Sequence, residues 1–253
     1  GLTPVVDLGA AGTCYLNTSA ATHTLKLSDG RVVYLYGDVF YIRQGEKALL
    51  LSANPQEALK KLFTKAPLKE VIEVLEGQYI GFVVQQAKQS VEIFTDVYSR
   101  VDSFYAHSED LFCLSTNLDF IFSHVTPVHD QLMLSHFFSV YGWYTPKGTT
   151  IYKNVLQIKV GEILTLSSKG LTSKVAQFKP REIKQYDQSN LEDYYKILKE
   201  SIHARSQHVK GKIWISSSSG WDSSIILGLL VDMYGSKRIE MSTGSMLYSE
   251  KTG

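Results

Sequence analysis

Cys14 and Cys113 are the only cysteines in 253 residues. Two are too few for a disulfide framework and lack the spacing of a metal site, so a reducing, cytoplasmic setting is the default expectation. Charge of one sign is equally scarce: 26 Lys and Arg against 25 Asp and Glu leave a net +1. With no basic stripe and no acidic tail, neither nucleic acid nor a membrane surface is expected as a partner. No apolar run approaches the roughly 20 residues of a membrane span, and no charged-then-apolar leader opens the chain. The chain begins at Gly1 without Met, which reads as processing or an expression scar, and stops at Gly253 with no closing element. Of the seven histidines, only His124 and His129 stand at a metal-like spacing, and surface or core roles are expected for all of them.

What is present divides into two halves of different grain. The length suits one large domain or two ordinary ones. In the front half, Val5-Val6 suggests a first strand and Asp29-Gly30 a turn. Arg31 to Tyr36 and Val39 to Ile42 are β-rich runs around Gly37-Asp38, a hairpin or a kinked strand. Asn54-Pro55-Gln56-Glu57 reads as an N-cap, a first-position proline and an acidic third residue. It opens a helix that buries Ala58, Leu59, Leu62 and Phe63, with a second helical piece at Val71 to Leu75. Tyr79 to Gln85, Val91 to Val97 and Leu111 to Ser115 read as three strands of an antiparallel meander, the second alternating cleanly. Asp130 is placed to cap a helix whose Met133, Leu134, Phe137, Phe138 and Tyr141 form a core stripe. Ile151 to Ile158 and Glu162 to Leu166 are again strand-like.

Residues 178 to 188 are charged, contain Pro180 and show no period, and are read as a linker. Ser189-Asn190-Leu191-Glu192 is a capping box opening an amphipathic helix. Lys212 to Ile215, a buried strand, then runs into Ser216 to Ser224, a small-residue loop, and into the apolar run Ile225 to Val231, a buried helix. Arg238 to Ser242 is a second strand. Such a helix offers free N–H groups and a positive dipole end to the loop, and phosphate is the ligand that suits them. Asp222 beside a phosphate either caps those N–H groups or holds a bridging Mg2+. A Walker loop would need Lys before the Ser, and here Gly220 is followed by Trp221 and Asp222. Trp221 is expected to pack.

Ser218-Ser219-Gly220-Trp221-Asp222-Ser223 resembles the S-G-G-x-D-S pyrophosphate loop of the ATP-pyrophosphatase superfamily, with Ser219 where that family carries its first Gly. Behind a β-rich front half, the loop resembles the asparagine synthetase family, whose relatives include β-lactam and carbapenam synthetases and lasso-peptide cyclases. Thr95-Asp96-Val97-Tyr98-Ser99-Arg100 with Phe104-Tyr105 looks like that family's R-D-x-x-G-x-x-P-L-Y-Y strand and turn. Leu114-Ser115-Thr116-Asn117 takes the place of its A-S-E, and Thr150 to Gly161 resembles its closing strand pair.

The resemblance implies an α+β front domain over residues 1–177, an αββα sandwich of the class II glutaminase (Ntn) type. After the linker it implies the truncated start, over 189–253, of a parallel-sheet α/β ATP-pyrophosphatase domain of the adenine nucleotide α-hydrolase-like kind. It implies ATP and Mg2+, with Ser218, Ser219, Gly220, Asp222 and Ser223 on pyrophosphate, Ser217 and Thr243 near the adenosine, and Asp222 a candidate Mg2+ contact. It leaves the catalytic residues unassigned. The family's N-terminal nucleophilic Cys is absent at Gly1, its H-R-R segment is missing, and its N-G-E-x-Y-N is replaced by Tyr36-Gly37-Asp38-Val39-Phe40-Tyr41. Pro55 falls where its substrate-binding Asp would be, so the glutaminase half is read as non-catalytic. The implied activity is an ATP-dependent amide-forming ligase acting on a small-molecule or peptide carboxylate and amine. The alternatives are a glutamine-hydrolysing asparagine synthetase and a non-catalytic interaction module with a degenerate ATP site. A homodimer is a candidate assembly.

Overall fold

The computed structural model describes residues 1–45, 47–51, 55–108, 110–140, 142, 144–176, 187–218 and 220–244. The chain divides into two compact units, Gly1–Pro180 and Arg181–Gly253.

In the first unit β1 (Thr3–Asp7) and β2 (Thr13–Leu16) form an antiparallel hairpin. Then come β3 (His23–Lys26), β4 (Val32–Gln44), β5 (Lys47–Leu50), α1 (Gln56–Lys65), α2 (Leu68–Val74), β6 (Leu75–Gln85) and β7 (Ser90–Thr95). After them run β8 (Phe104–His107), β9 (Phe112–Ser115), α3 (Leu118–Phe122), α4 (Gln131–Ser139), β10 (Leu156–Gln157), β11 (Glu162–Ser167) and β12 (Gly170–Val175). The large sheet has the order β12-β11-β7-β6-β4-β3, with β5 also paired to β4. A smaller sheet has the order β10-β8-β9. Every pairing in both sheets is antiparallel.

Three apolar clusters stack these elements into layers. Leu59, Phe63, Val71 and Ile72 of α1 and α2 bury one face of the large sheet through Leu25, Val33, Leu35, Val83 and Phe94. The other face, through Ile80, Phe82, Val91, Ile93 and Leu164, meets Val5, Val6 and Leu16 of the first hairpin and Tyr105 of β8. Ala106 and Cys113, on the far side of the small sheet, pack on Ile121 of α3. The order is helix, sheet, sheet, helix: a mixed α/β unit with antiparallel sheets. Because the large sheet is covered on both faces, β7 is buried at Phe94 as well as at Val91 and Ile93, and its alternation does not mark a wet side.

Several sequence expectations change. The two runs around Gly37 are one strand, β4, which bends at Gly37 (φ 114°) and shifts register against β6 between Val39 and Tyr41. A Cβ at Gly37 would lie 2.2 Å from the Gln78 carbonyl, so only glycine fits there. The third meander strand, β9, belongs to the smaller sheet, and its partner β8 was not foreseen. Of Ile151 to Ile158 only Leu156–Gln157 is strand. Asn154 instead accepts from Val128 N (2.9 Å) and donates to the Thr126 carbonyl (2.9 Å), while Thr150 Oγ1 accepts from Tyr152 N (3.0 Å), so side chains replace ladder partners. Pro55 is the N-cap of α1 and not its first residue, and Asn54 lies outside the described residues. Asp130 caps α4 as expected, accepting from Met133 N (3.1 Å), but α4 has no buried residue and Phe138 is 57% exposed, so its stripe is not core. Tyr141 lies outside the described residues.

The second unit contains α5 (Gln188–Ser206), β13 (Ile213–Ser217), α6 (Trp221–Tyr234) and β14 (Ile239–Thr243). β13 and β14 pair in parallel, with α6 as the crossover. The N-cap of α5 is Asp187 and not Ser189, because Asp187 Oδ1 accepts from both Asn190 N (3.0 Å) and Ser189 Oγ (2.6 Å). Most of the proposed linker lies outside the described residues. α6 packs against α5, β13 and β14. Lys199 Nζ donates to Asp232 Oδ2 (2.7 Å) between the two helices.

Candidate functional site

The loop between β13 and α6 stands at the C-terminal end of a parallel strand pair, where α/β proteins place ligands. Register sets Ser217 directly beside Thr243, the last residues of the two strands. Ser223 organises the loop. Its Oγ accepts from Ser218 N (3.1 Å), lies 3.2 Å from Ser218 Oγ, and donates toward the carbonyls of Ser218 (3.1 Å) and Gly220 (3.2 Å). Ser218 Oγ accepts from Gly220 N (3.2 Å), and Ser224 Oγ donates to the Gly220 carbonyl (2.9 Å). Ser218, Gly220 and Ser223 are therefore held together by their own small groups, and Ser224 joins them. The sequence signal for Ser224 was its place one helical turn after Gly220, within bonding reach of a first-turn carbonyl. Ser219 lies outside the described residues.

Gly220 begins α6 from extended backbone (φ −78°, ψ 155°) with no side-chain cap. A Cβ there would touch only Ser218 Oγ, at 3.1 Å. The backbone conformation at 220 does not demand glycine; an added Cβ would press on the Ser218 hydroxyl that ties the loop together. Among the described residues the backbone N–H groups of Trp221, Asp222 and Ser223 have no acceptor, as the first turn of a helix leaves them. Asp222 is exposed and makes no hydrogen bond or ion pair with a described residue. Of its two expected roles, capping is not the one seen. Unpaired N–H donors beside a free carboxylate suit a phosphate carrying a hard cation. No cluster of three or more potential metal ligands occurs among the described residues, so Asp222 would be a single protein ligand, with phosphate and water oxygens completing the shell.

Three expectations about this region are corrected. Trp221 does not pack: it is 85% exposed at the mouth of the loop. Trp214 of β13 is 64% exposed, so the strand is not buried on both faces, and within α6 only Leu229 and Leu230 are buried. The reason is common to all three: among the described residues of this unit the sheet has two strands, and α6 packs chiefly on α5 and that sheet.

In the first unit the thiols are not activated. Cys14 is pushed up to about 11 by burial, and burial raises Cys113 as well, the opposite of what a nucleophilic cysteine requires. Asp96, where the resembled turn has its Asp, is fully buried and structural. Its oxygens accept from Tyr98 N (3.1 Å), Arg100 N (2.9 Å) and Arg100 Nη1 (3.3 Å). Arg100 also donates to the Gly77 carbonyl (2.8 Å) and pairs with Glu76 (2.9 Å). Among the described residues no helix is long and apolar enough to cross a membrane.

No family model matches the chain, and no curated protein does. Among solved structures it is similar to the glutamine phosphoribosylpyrophosphate amidotransferase from B. subtilis complexed with ADP and GMP. That match has a TM-score of 0.38 and 12% identity, over 88% of this chain and 48% of that one. It is also similar to a structure described as the allosteric regulatory enzyme of purine biosynthesis, with a TM-score of 0.39 and 12% identity, over 98% of this chain and 53% of that one. The chain thus spans about half the length of either, and at this depth of likeness its reading rests on its own residues.

Proposed function

We propose that this chain carries the nucleotide-binding opening of an ATP-dependent amide-forming ligase of the asparagine synthetase kind, preceded by a glutaminase-like unit that no longer hydrolyses glutamine. The observation that carries this reading is the loop at the C-terminal end of the parallel pair, where neither the Asp222 carboxylate nor the N–H groups of Trp221, Asp222 and Ser223 bond to a described residue. Ser218, Gly220 and Ser223 would hold the pyrophosphate portion of ATP, together with Ser219, and Asp222 the Mg2+. Ser217 and Thr243 would face the adenosine. A substrate carboxylate oxygen attacks the α-phosphorus, the bond to the β-phosphate oxygen breaks, and pyrophosphate leaves into the loop. An amine then displaces AMP from the acyl carbon. The protein's share is positioning and charge stabilisation. Pro55 in the place of the family's substrate-binding Asp, and Tyr36 to Tyr41 in the place of its N-G-E-x-Y-N, support an amine other than ammonia released from glutamine. A cytoplasmic setting belongs to the same proposal.

The test is thermal melting with ATP and Mg2+. Ligand at about 100 times its dissociation constant adds about 2.7 kcal/mol of stability. The expected result is a shift that Asp222→Ala loses. Gly220→Ala should also lose the shift, since its methyl group would crowd Ser218 Oγ, at 3.1 Å, within the loop. No shift in the parent protein would overturn the reading and move attention to the first unit as an interaction module.

A further inference from the structure

An open trough of about 460 Å³ lies in the first unit between α1 and the end of β3. Glu57, Lys60, Lys61, Thr64 and Lys65 line one wall, and their spacing by threes and fours puts them on a single face of the helix. Lys26, Leu27 and Ser28 line the other. The fold fixes the two walls against each other. Leu25 and Leu27 are buried in one cluster with Leu59 and Phe63 of α1. Arg31 donates through Nη2 to the Phe63 carbonyl (2.9 Å) and through Nε to Asp29 Oδ2 (2.8 Å), which clamps the turn after β3 to the helix.

Four lysines and one glutamate give this lining a net +3, in a chain whose total is +1. The sequence shows no basic stripe because Lys26 is remote from the other three along the chain, and the fold brings them to one place. The negative charges nearby are already engaged: Glu57 pairs with Lys60 (3.0 Å) and Asp29 with Arg31 (2.7 Å). Among the described residues no carboxylate pairs with Lys26, Lys61 or Lys65. Lys61 and Lys65, one helical turn apart, repel each other. Lys65, in the last turn of α1, answers the helix dipole, but the dipole explains neither Lys61 nor Lys26. Ammonium groups gathered on fixed walls of a concave surface raise the local concentration of anions.

We infer that this trough binds a small soluble anion built of several linked phosphate groups, an oligophosphate chain. Lysines act as point charges with rotatable donors and not as planar forks, which suits phosphate oxygens approached from several directions. The exposed residues Ser28 and Thr64 add hydroxyl donors. One orthophosphate leaves part of the net +3 unmatched, whereas a triphosphate chain spanning both walls can match it. The site lies wholly in the first unit and does not depend on the function proposed for the loop after β13.

The probe is sodium tripolyphosphate, titrated into the full chain by isothermal calorimetry in buffer free of divalent cations. Saturable 1:1 binding is expected, weakening about tenfold as salt rises from about 20 to about 200 mM, since charges this exposed are screened. Orthophosphate, with fewer charges to offer, should bind about tenfold more weakly. Lys26→Gln and Lys61→Gln, one on each wall, should each weaken tripolyphosphate about fivefold, the worth of one exposed ion pair, with the melting temperature of the free protein near that of the parent. The inference is overturned if tripolyphosphate does not saturate, if orthophosphate or citrate binds as tightly, or if either lysine variant binds like the parent, which puts the anion elsewhere on the chain. A single-stranded oligonucleotide that binds more tightly than tripolyphosphate overturns it as well, in favour of a nucleic-acid backbone.

Discussion

At the scale of single residues, three positions carry more than their size suggests. A Cβ at Gly81 would lie 2.2 Å from the Phe94 ring, which fills the space that glycine leaves and joins Phe63 and Tyr79 in the core. Gly81→Ala must move that ring and should destabilise the first unit by about 1–3 kcal/mol in urea melts, as overpacking does. Tyr36 offers the reverse. Its buried hydroxyl has no hydrogen-bond partner among the described residues, and Tyr36→Phe should raise stability by about 1 kcal/mol, because a buried hydroxyl without a partner is costly and a ring of the same shape is not.

Asp96 gives a pH signature of defined sign. Burial raises its carboxyl above the ordinary 3.8, against the lowering effects of the Arg100 and Tyr98 N–H groups and the Arg100 guanidinium. Between 3.8 and its folded value the native state keeps a proton that the unfolded state has released, so its contribution to stability is full below 3.8 and is lost as pH rises through the folded value. Stability measured across mildly acidic pH should carry this falling component, and Asp96→Asn should remove it.

At the scale of elements, capping by aspartate recurs. Asp130 opens α4 and Asp187 opens α5, each accepting from a first-turn N–H. Asp130→Ala and Asp187→Ala should each cost about 1 kcal/mol, seen as a lowered urea midpoint. The first of these caps was legible in the sequence and the second was not. The chain offers Asp187, Ser189 and Asn190 in a row, all competent to cap, and only the fold shows that the Ser189 hydroxyl is spent on Asp187. The same limit appears elsewhere. The helix α1, the strands β6 and β7 and the order α5, β13, α6, β14 were readable because their apolar spacing is regular. β8 and β12 escaped because Phe104–His107 is short and Gly170–Val175 is largely exposed, so neither shows a buried period. In the loop, the identity of the small residues was readable, whereas the central position of Ser223 depended on where the chain turns.

At the scale of the whole molecule, the two units differ in how much they bury. The three apolar clusters draw only on residues of the first unit. In the second, among the described residues, only Ala204, Ser206, Leu229 and Leu230 are buried. A fragment of residues 1–176 should therefore melt cooperatively by itself, while residues 187–244 alone should give a broad, weak transition by circular dichroism. The sequence signalled two grains of structure through their motifs. It could not show this inequality, because α6 is as apolar as a core helix and only its neighbours decide how much of it is covered.

The large sheet also sets an order of events. β7 lies between β6 and β11, and Phe94 faces Ile163, so β8, β9, α3, α4 and β10 all form an excursion between two adjacent strands. β3, β4, β6 and β7 need only shorter closures, whereas β11 must wait until that excursion has brought its ends together. Refolding should accordingly be limited by the arrival of β11, with β12 following it, and the β7 edge should stay open to foreign strands for as long as that step takes.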